Sequence, residues 1–267
     1  MSYRFTILGS GSSGGVPRIG NDWGACDPTE PKNRRLRSSF LIEKFEGDAC
    51  TRLLIDTSPD IREQLLTANI STVDAVAYTH SHADHIHGID DLRVVYFNLK
   101  KRLPVYYDKK TGEDLYAKFR YCFELPEDSN YVPILDGSEM EIGTPLLIDG
   151  AGGVIETTPF YQHHGNAHSL GFRFGSLCYC TDVSSFPETS LPYLEGLDVL
   201  ILDTLRKTPH PCHFTVEQAL EVIETYKPKR AILTHLHVDL DYQTLKSQLP
   251  SHVEPAYDGM VIELQCE

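Results

Sequence analysis

Three histidines and an aspartate fall within six residues, at His80, His82, Asp84 and His85, directly after the apolar run Val73–Tyr78. A metal cluster needs several neutral imidazoles and a hard oxygen ligand converging from rigid backbone, and few other uses need this density at the end of a buried strand. The spacing divides the four groups. His80 and His82 lean one way, while Asp84 and His85, on the next turn of backbone, lean the other. That arrangement suits two neighbouring metals, and it requires a fold that brings further ligands to the same strand ends.

The rest of the chain repeats the pattern. Asp182 follows Cys178-Tyr179-Cys180-Thr181, His235 follows Ala231-Ile232-Leu233-Thr234, and His164 stands less regularly before Ser169-Leu170-Gly171-Phe172. Strands are expected at Tyr3–Leu8, Ser39–Lys44, Thr51–Ile55, Pro104–Tyr107, Leu146–Ile148, Val154–Thr158, Leu170–Phe174, Leu177–Tyr179, Val199–Leu202 and Met260–Leu264. A helix is expected from Ser58 as N-cap with Pro59 in its first turn, carrying Ile61, Leu65 and Leu66 on one face. Others are expected around Ile89–Tyr96, over Glu113–Phe123 and over Thr215–Tyr226, where Thr215 and Gln218 make a capping box. Helices alternate with some strands while other strands run in pairs, which favours an α/β fold of two packed sheets with helices outside. One domain, residues 1–267, is expected.

Charge and composition narrow the partners. A formal net charge of −14 argues against a binder of long nucleic acid, whose affinity rests on neutralising phosphates. No run of 18 apolar residues marks a membrane span, and the first residues read as a strand and a loop, so a cytoplasmic chain is expected. Seven cysteines form no short disulfide framework and read as reduced thiols; Cys178 and Cys180 share one strand face and read as core.

Two loops add candidates for substrate contact. Gly9–Pro17 is glycine-rich and lets backbone approach a ligand, but it lacks the Lys-Ser/Thr ending of a phosphate-binding loop. Residues 18–38 hold Trp23, Cys26 and the basic run Lys32–Arg37, in which Arg34 and Arg37 are candidate phosphate contacts; solvation is the plain alternative.

The first motif resembles the His-x-His-x-Asp-His motif of the metallo-β-lactamase superfamily. That resemblance implies an αββα sandwich, two mixed sheets flanked by helices, with a dinuclear site at one edge. The remaining ligands it implies are a histidine, a bridging aspartate and a last histidine, which map onto His164, Asp182 and His235. The His164-Gly165 pair favours His164, with His163 the second choice and His168 a pocket or loop residue. Gly9–Pro17, Ser169–Phe172, Tyr179–Ser184 and Tyr257-Asp258-Gly259-Met260 look like the PhnP-like phosphodiesterases, relatives of RNase Z and PqqB, and no long RNA-gripping arm is visible. The structural zinc of PhnP uses cysteines of the early loop, where this chain has only Cys26, and one thiolate does not make a four-ligand site.

The implied activity is hydrolysis of a small cyclic phosphate or nucleotide-like phosphodiester. The implied cofactors are two divalent ions, zinc or manganese, and a hydroxide shared between them attacks phosphorus. His213, just before the capped helix, is preferred to His210 as the residue at the leaving group; it and Asp84 are the candidate catalytic residues, and Asp203 is expected to orient His213. His237 is open between a contact to a ligand and surface. A homodimer is the expected assembly. The rival readings are an RNase Z-like nuclease, a thioester hydrolase of the same fold, and a PqqB-like carrier that binds without turnover.

Overall fold

The computed structural model describes residues 2–125 and 130–265. Its first half runs β1 (Ser2–Gly9), β2 (Ser39–Glu46), β3 (Ala49–Ile55), α1 (Ile61–Thr67), β4 (Ala75–Ala77), α2 (Ala83–Ile86), α3 (Leu92–Leu99), β5 (Leu103–Tyr107), α4 (Lys109–Phe123) and β6 (Leu135–Glu139). Its second half runs β7 (Leu146–Ile148), β8 (Ile155–His164), β9 (Ala167–Phe174), β10 (Leu177–Cys180), β11 (Val199–Asp203), α5 (Val216–Tyr226), β12 (Arg230–Thr234), α6 (Tyr242–Gln248), β13 (Val253–Pro255) and β14 (Met260–Gln265).

The strands form two seven-stranded mixed sheets, ordered β14-β1-β2-β3-β4-β5-β6 and β13-β12-β11-β10-β9-β8-β7. The period of two along each strand sorts the layers. Phe40, Ile42, Leu53 and Ile55 face Leu170, Phe172, Tyr179 and Ile201 of the other sheet, with the Phe40 and Tyr179 rings stacked at 4.5 Å. The alternate residues Leu41, Leu54, Val76 and Val105 pack outward on Ile61, Leu92 and Leu115 of α1, α3 and α4. On the far side Leu200, Leu202, Ala231 and Leu233 pack on Ala219, Ile223 and Leu245 of α5 and α6. Both faces of the central strands are therefore covered, which is why they read as continuous apolar runs. The αββα sandwich expected from the sequence is the fold.

Several local expectations shift. The N-cap of α1 is Asp60 rather than Ser58; Ser58 still serves that end, its hydroxyl accepting from the Asp60 amide at 3.1 Å and its carbonyl from the Ile61 amide. β8 extends to His164 itself and pairs with β9 across Gly165-Asn166, so the histidine ends a strand as the other candidates do. The capping box of α5 is present. The strands β6 and β13 and the helix α6 lie in stretches with no clear apolar period.

Buried polar groups fasten the loops around the sheet edge. Arg35 is 1% exposed, with its guanidinium donating to the carbonyls of Leu240 (2.7 Å) and His237 (3.3 Å) and to Asn33 Oδ1 (3.2 Å). Asp258 accepts from the Ser10 amide and hydroxyl, both at 2.8 Å, and from the Leu36 amide at 2.6 Å. The six described cysteines are free, with Cys178 and Cys180 buried in the core; Cys266 lies outside the described residues. Among the described residues no helix is long and apolar enough to cross a membrane.

Candidate metal centre

The metal-ligand types converge where strand ends of both sheets meet. β4 leads to His80, α2 carries Asp84 and His85, β8 ends in His164, β10 leads to Asp182 and β12 to His235. Two groups form. The outer group is His80, His82, His164 and Asp182; the inner group is Asp84, His85, His235 and Asp182. Within each, one nitrogen or oxygen per residue lies within 4.8 Å of all the others.

Asp182 belongs to both groups, and its two oxygens divide between them. Oδ2 lies 3.7 Å from His80 Nε2 and 3.8 Å from His164 Nε2. Oδ1 lies 3.1 Å from His85 Nε2 and 3.3 Å from His235 Nδ1. Such an aspartate can serve one cation with each oxygen. The backbone is bent to achieve this: Asp182 (φ 53°), His235 (φ 60°) and Asp56 (φ 62°) all adopt left-handed conformations. Residues other than glycine pay of order 1–3 kcal/mol for such a conformation, so it persists only where the surroundings enforce it.

A layer behind the ligand types holds their rings. Asp56, fully buried at the end of β3, accepts from the Thr79 amide and hydroxyl, both at 2.8 Å, and lies 2.6 Å from His85 Nδ1. Thr79 Oγ1 is 3.0 Å from His80 Nδ1, and the Cys212 carbonyl is 2.8 Å from His164 Nδ1. Ser38 Oγ stands beside the inner group rather than behind it, 3.0 Å from His235 Nδ1, the nitrogen that also faces Asp182. Asp56 and Ser38 are absent from the sequence reading. Asp56 had a usable signal, since it follows strand-forming Thr51–Ile55 just as the other candidates follow theirs.

The residues fit divalent cations on three counts. His80 Nε2 is buried without a hydrogen-bond partner, which is costly unless something else satisfies it. Burial holds His80 and His164 below the usual imidazole range and takes His235 down to about 4, leaving neutral rings of the kind cations bind. Burial alone would raise Asp84 and Asp182, but the imidazoles beside them, His85 for both and His235 foremost for Asp182, outweigh it and hold both carboxylates well below their ordinary range. His85 is the converse: burial opposes its charge, yet Asp182, Asp84 and Asp56 hold it well above the ordinary value, which marks the inner group as a place that demands positive charge.

His213 stands beside both groups without belonging to either. Its ring centroid is 4.8 Å from those of His164 and His235, its Nδ1 is 2.8 Å from Asp203 Oδ2, and its Nε2 is 4.0 Å from Asp182 Oδ2. Asp203, fully buried, also accepts from the Val183 amide at 2.9 Å. Burial works against the His213 charge, but Asp203 raises its pKa to about 9.

The remaining candidates lie elsewhere. His163 is exposed, and His168 pairs with Asp108 at 2.7 Å, outside both groups. Arg37, a candidate phosphate contact, is paired with Asp60 through bonds of 2.8 and 2.6 Å. Arg34 is exposed and lines a cavity beside the glycine-rich loop. The basic run is thus not one feature: Arg35 is buried, and Lys32 lies over the Tyr242 and Tyr257 rings. His237 pairs with Asp239 at 3.0 Å. Cys26 packs with Val16 and Val238, its Sγ donating to the Val238 carbonyl at 3.3 Å, and is in neither ligand group.

Comparison with known proteins agrees with this geometry. The sequence model of the Beta-lactamase superfamily domain matches residues 51–236. The solved structure of a diphosphatase from the PhnP family superposes with a TM-score of 0.88 and 37% identity, covering 99% of this chain and 98% of that one. An octanoyltransferase of Porphyromonas gingivalis is 32% identical over 260 residues, 96% of this chain; the chain spans about half of that protein, 51% of its length. Zinc-bound PqqB of Methylobacterium extorquens shares the fold at TM-score 0.73 and 17% identity, with 98% of this chain and 100% of that chain covered. Matched by the superfamily model over most of its length and by the PhnP-family diphosphatase over nearly all of it, the chain belongs to the metallo-β-lactamase superfamily, within its PhnP family.

Proposed function

We propose that this chain is a metal-dependent phosphodiesterase acting on a small cyclic phosphate or nucleotide-like phosphodiester. The observation that carries the reading is the placement of His213: Nδ1 fixed by Asp203 at 2.8 Å, Nε2 directed toward the carboxylate that the two ligand groups share. Two divalent ions, zinc or manganese, held by the outer and inner groups would activate water and offset the charge on the phosphate oxygens. His213 then holds a proton at Nε2 within reach of a departing oxygen, with Asp203 keeping the ring in one orientation. Asp84 serves as a ligand of the inner group, and its charge keeps that group anionic. The similarity to a PhnP-family diphosphatase supports phosphorus as the reacting centre. The net charge of −14 favours a small substrate over long nucleic acid. We take the working assembly to be a cytoplasmic homodimer, which sedimentation of the purified protein tests.

The deciding experiment compares leaving groups. An alkoxide is a poor leaving group and needs the proton; p-nitrophenolate needs it far less. His213→Ala should retain its metal and lose about 10²- to 10⁴-fold in kcat on an alkyl or cyclic phosphodiester, the usual scale of general acid catalysis, with a much smaller loss on bis(p-nitrophenyl) phosphate. Metal-loaded protein that leaves every phosphodiester and diphosphate intact but cleaves an octanoyl thioester would overturn the proposal in favour of acyl chemistry. Saturable binding without turnover would favour a carrier.

A further inference from the structure

Three of the candidate ligand rings have a protein group behind them, and a fourth does not. His80, His85 and His164 each place Nδ1 against a partner: the Thr79 hydroxyl at 3.0 Å, Asp56 at 2.6 Å and the Cys212 carbonyl at 2.8 Å. His82 is exposed, and among the described residues its ring has no hydrogen-bond partner other than His164 Nε2, 3.2 Å from its Nδ1. Both rings belong to the outer group, so that contact joins two ligand types and supports neither from behind. A metal-binding imidazole normally has its other nitrogen held, so the task of placing His82 falls to its backbone.

That backbone is secured differently on its two sides. After His82, α2 has only four residues, too few to be stable alone, yet His85 within it is anchored separately: its carbonyl accepts from the Thr57 amide at 2.8 Å and its ring faces Asp56. Before His82 stands Ser81, and α4 grips it twice. Asp114 Oδ2 accepts from the Ser81 hydroxyl at 2.6 Å, and Lys118 Nζ donates to the Ser81 carbonyl at 3.1 Å. Asp114 and Lys118 are four residues apart and therefore share one face of the helix. The helix is a firm base for this grip. Asp108 caps it, accepting from the Thr111 amide at 3.0 Å and lying 2.7 Å from His168 Nε2, and Leu115, Cys122 and Phe123 are buried in the core. Lys110 donates to the other Asp114 oxygen at 3.0 Å. Farther along, the Phe119 ring lies 5.6 Å from that of His87, so α4 meets the chain on both sides of α2.

We propose that Asp114, assisted by Lys118, is a positioning residue for the outer metal ion: by fixing Ser81 it fixes the residue that follows, His82, and so sets how tightly the outer group holds its ion. The assignment rests on the two-ion reading of the ligand groups and is independent of which bond the protein cleaves. Among the described residues Asp114 bonds to Ser81 and Lys110 and to no candidate ligand, so its effect runs through Ser81. Asp114 is the larger contributor. Its carboxylate makes a short, charge-assisted bond from a partly buried position, whereas Lys118 is exposed and screened by solvent.

The test measures zinc affinity in the full chain by competition with a chromophoric chelator. The dissociation step that His82→Ala weakens most identifies the outer ion. In Asp114→Ala that step should weaken about tenfold, the lower end of the cost of losing a supporting residue, while the other step shifts by less than about twofold. Asp114→Asn keeps an oxygen toward Ser81 and should recover most of the loss, and Lys118→Met should lose less than Asp114→Ala. Ser81→Ala should match Asp114→Ala, and the double variant should be no weaker than either single one, because all three remove the same contact. A loss shared equally by the two steps, or single losses that add in the double variant, would mean that α4 supports the fold and not His82, and overturns the proposal. An unchanged outer step in Asp114→Ala overturns it too, while leaving the two-ion reading standing. A wild type that takes up fewer than two zinc ions overturns that reading and the proposal together.

Discussion

The outer and inner ligand groups share Asp182 but are built for different degrees of permanence. The outer group is three imidazoles and one carboxylate oxygen, with His82 exposed. Its rings are held by neutral partners, the Cys212 carbonyl behind His164 and the Thr79 hydroxyl behind His80. The inner group is wholly buried and has a second carboxylate, Asp84. A third, Asp56, stands 2.6 Å behind His85. Removing a cation from the inner group strands several buried charges, whereas removing one from the outer group strands mostly neutral nitrogens. One site can thus hold a nearly resident ion beside a more exchangeable one, and a chelator should strip the outer group first.

The severest challenge to that contrast is Asp182→Ala. Because its oxygens serve opposite groups, both should lose metal, and turnover should fall by more than the 10- to 100-fold that loss of a supporting residue costs. Metal analysis after dialysis, with phosphodiesterase rates, checks this. Retention of the inner ion in full would mean that Asp182 is a ligand of the outer group only. Next in size is Asp203→Asn, which touches neither group directly. It should lower kcat by about 10²-fold or more through a misdirected His213 while metal content stays unchanged. Metal loss there would place His213 among the ligands.

Asp56→Asn weighs on the inner group more than on the outer. It replaces the acceptor behind His85 and leaves the partner of His164 alone, reaching the outer group only through the Thr79 hydroxyl behind His80, so the inner ion should bind about 10- to 100-fold more weakly and the outer ion should lose less. Competition with a chromophoric chelator resolves the two dissociation steps. Equal weakening of both would show that the groups act as one unit through Asp182.

Asp56 also marks where sequence reading stopped. His80, His82, Asp84 and His85 were legible because four ligand types crowd one strand end, and the mixture of helix-alternating and paired strands favoured two packed sheets, which the family resemblance sharpened to the αββα sandwich. His164, Asp182 and His235 are spread across more than 70 residues; the family pattern located them, and only the fold brings them together. The Asp203–His213 contact was expected and is present at 2.8 Å. Arg35 could not be told from Arg34 or Arg37 by composition. Which arginine turns inward depends on carbonyls of Leu240 and His237, about 200 residues away, and an irregular loop has no period to betray a buried face. The left-handed backbone at Asp56, Asp182 and His235 has no local sequence cause either; tertiary packing enforces it.

The smallest expected effect bears on the wall behind the inner group. Asp258 fastens Ser10 and Leu36, and the same segments carry the Ser10 carbonyl that accepts from Leu236 and the Ser38 hydroxyl beside His235. Burial pushes Asp258 up to about 6 in spite of its three hydrogen bonds, so the folded state favours the protonated carboxyl relative to an ordinary value of 3.8. For an acid whose pKa is raised on folding, ionisation costs stability. The contribution is most favourable below about 4, declines as pH rises toward about 6, and is constant above. Since the carboxyl keeps some contact with solvent, the change should be roughly 1 kcal/mol, of the order of one pKa unit. Asp258→Asn cannot ionise and turns an N–H toward a donor, so it should be less stable than wild type, by a margin that narrows between pH 4 and 6 and is flat from 6 to 8. Urea unfolding of both proteins across that range measures the margin, and taking the difference cancels metal loss common to the two. A margin that widens with pH instead would mean that the three hydrogen bonds overcome burial and that the wall is fastened by a charge. The inner group would then lean on a fourth carboxylate, and its contrast with the outer group would be greater than the four residues of each suggest.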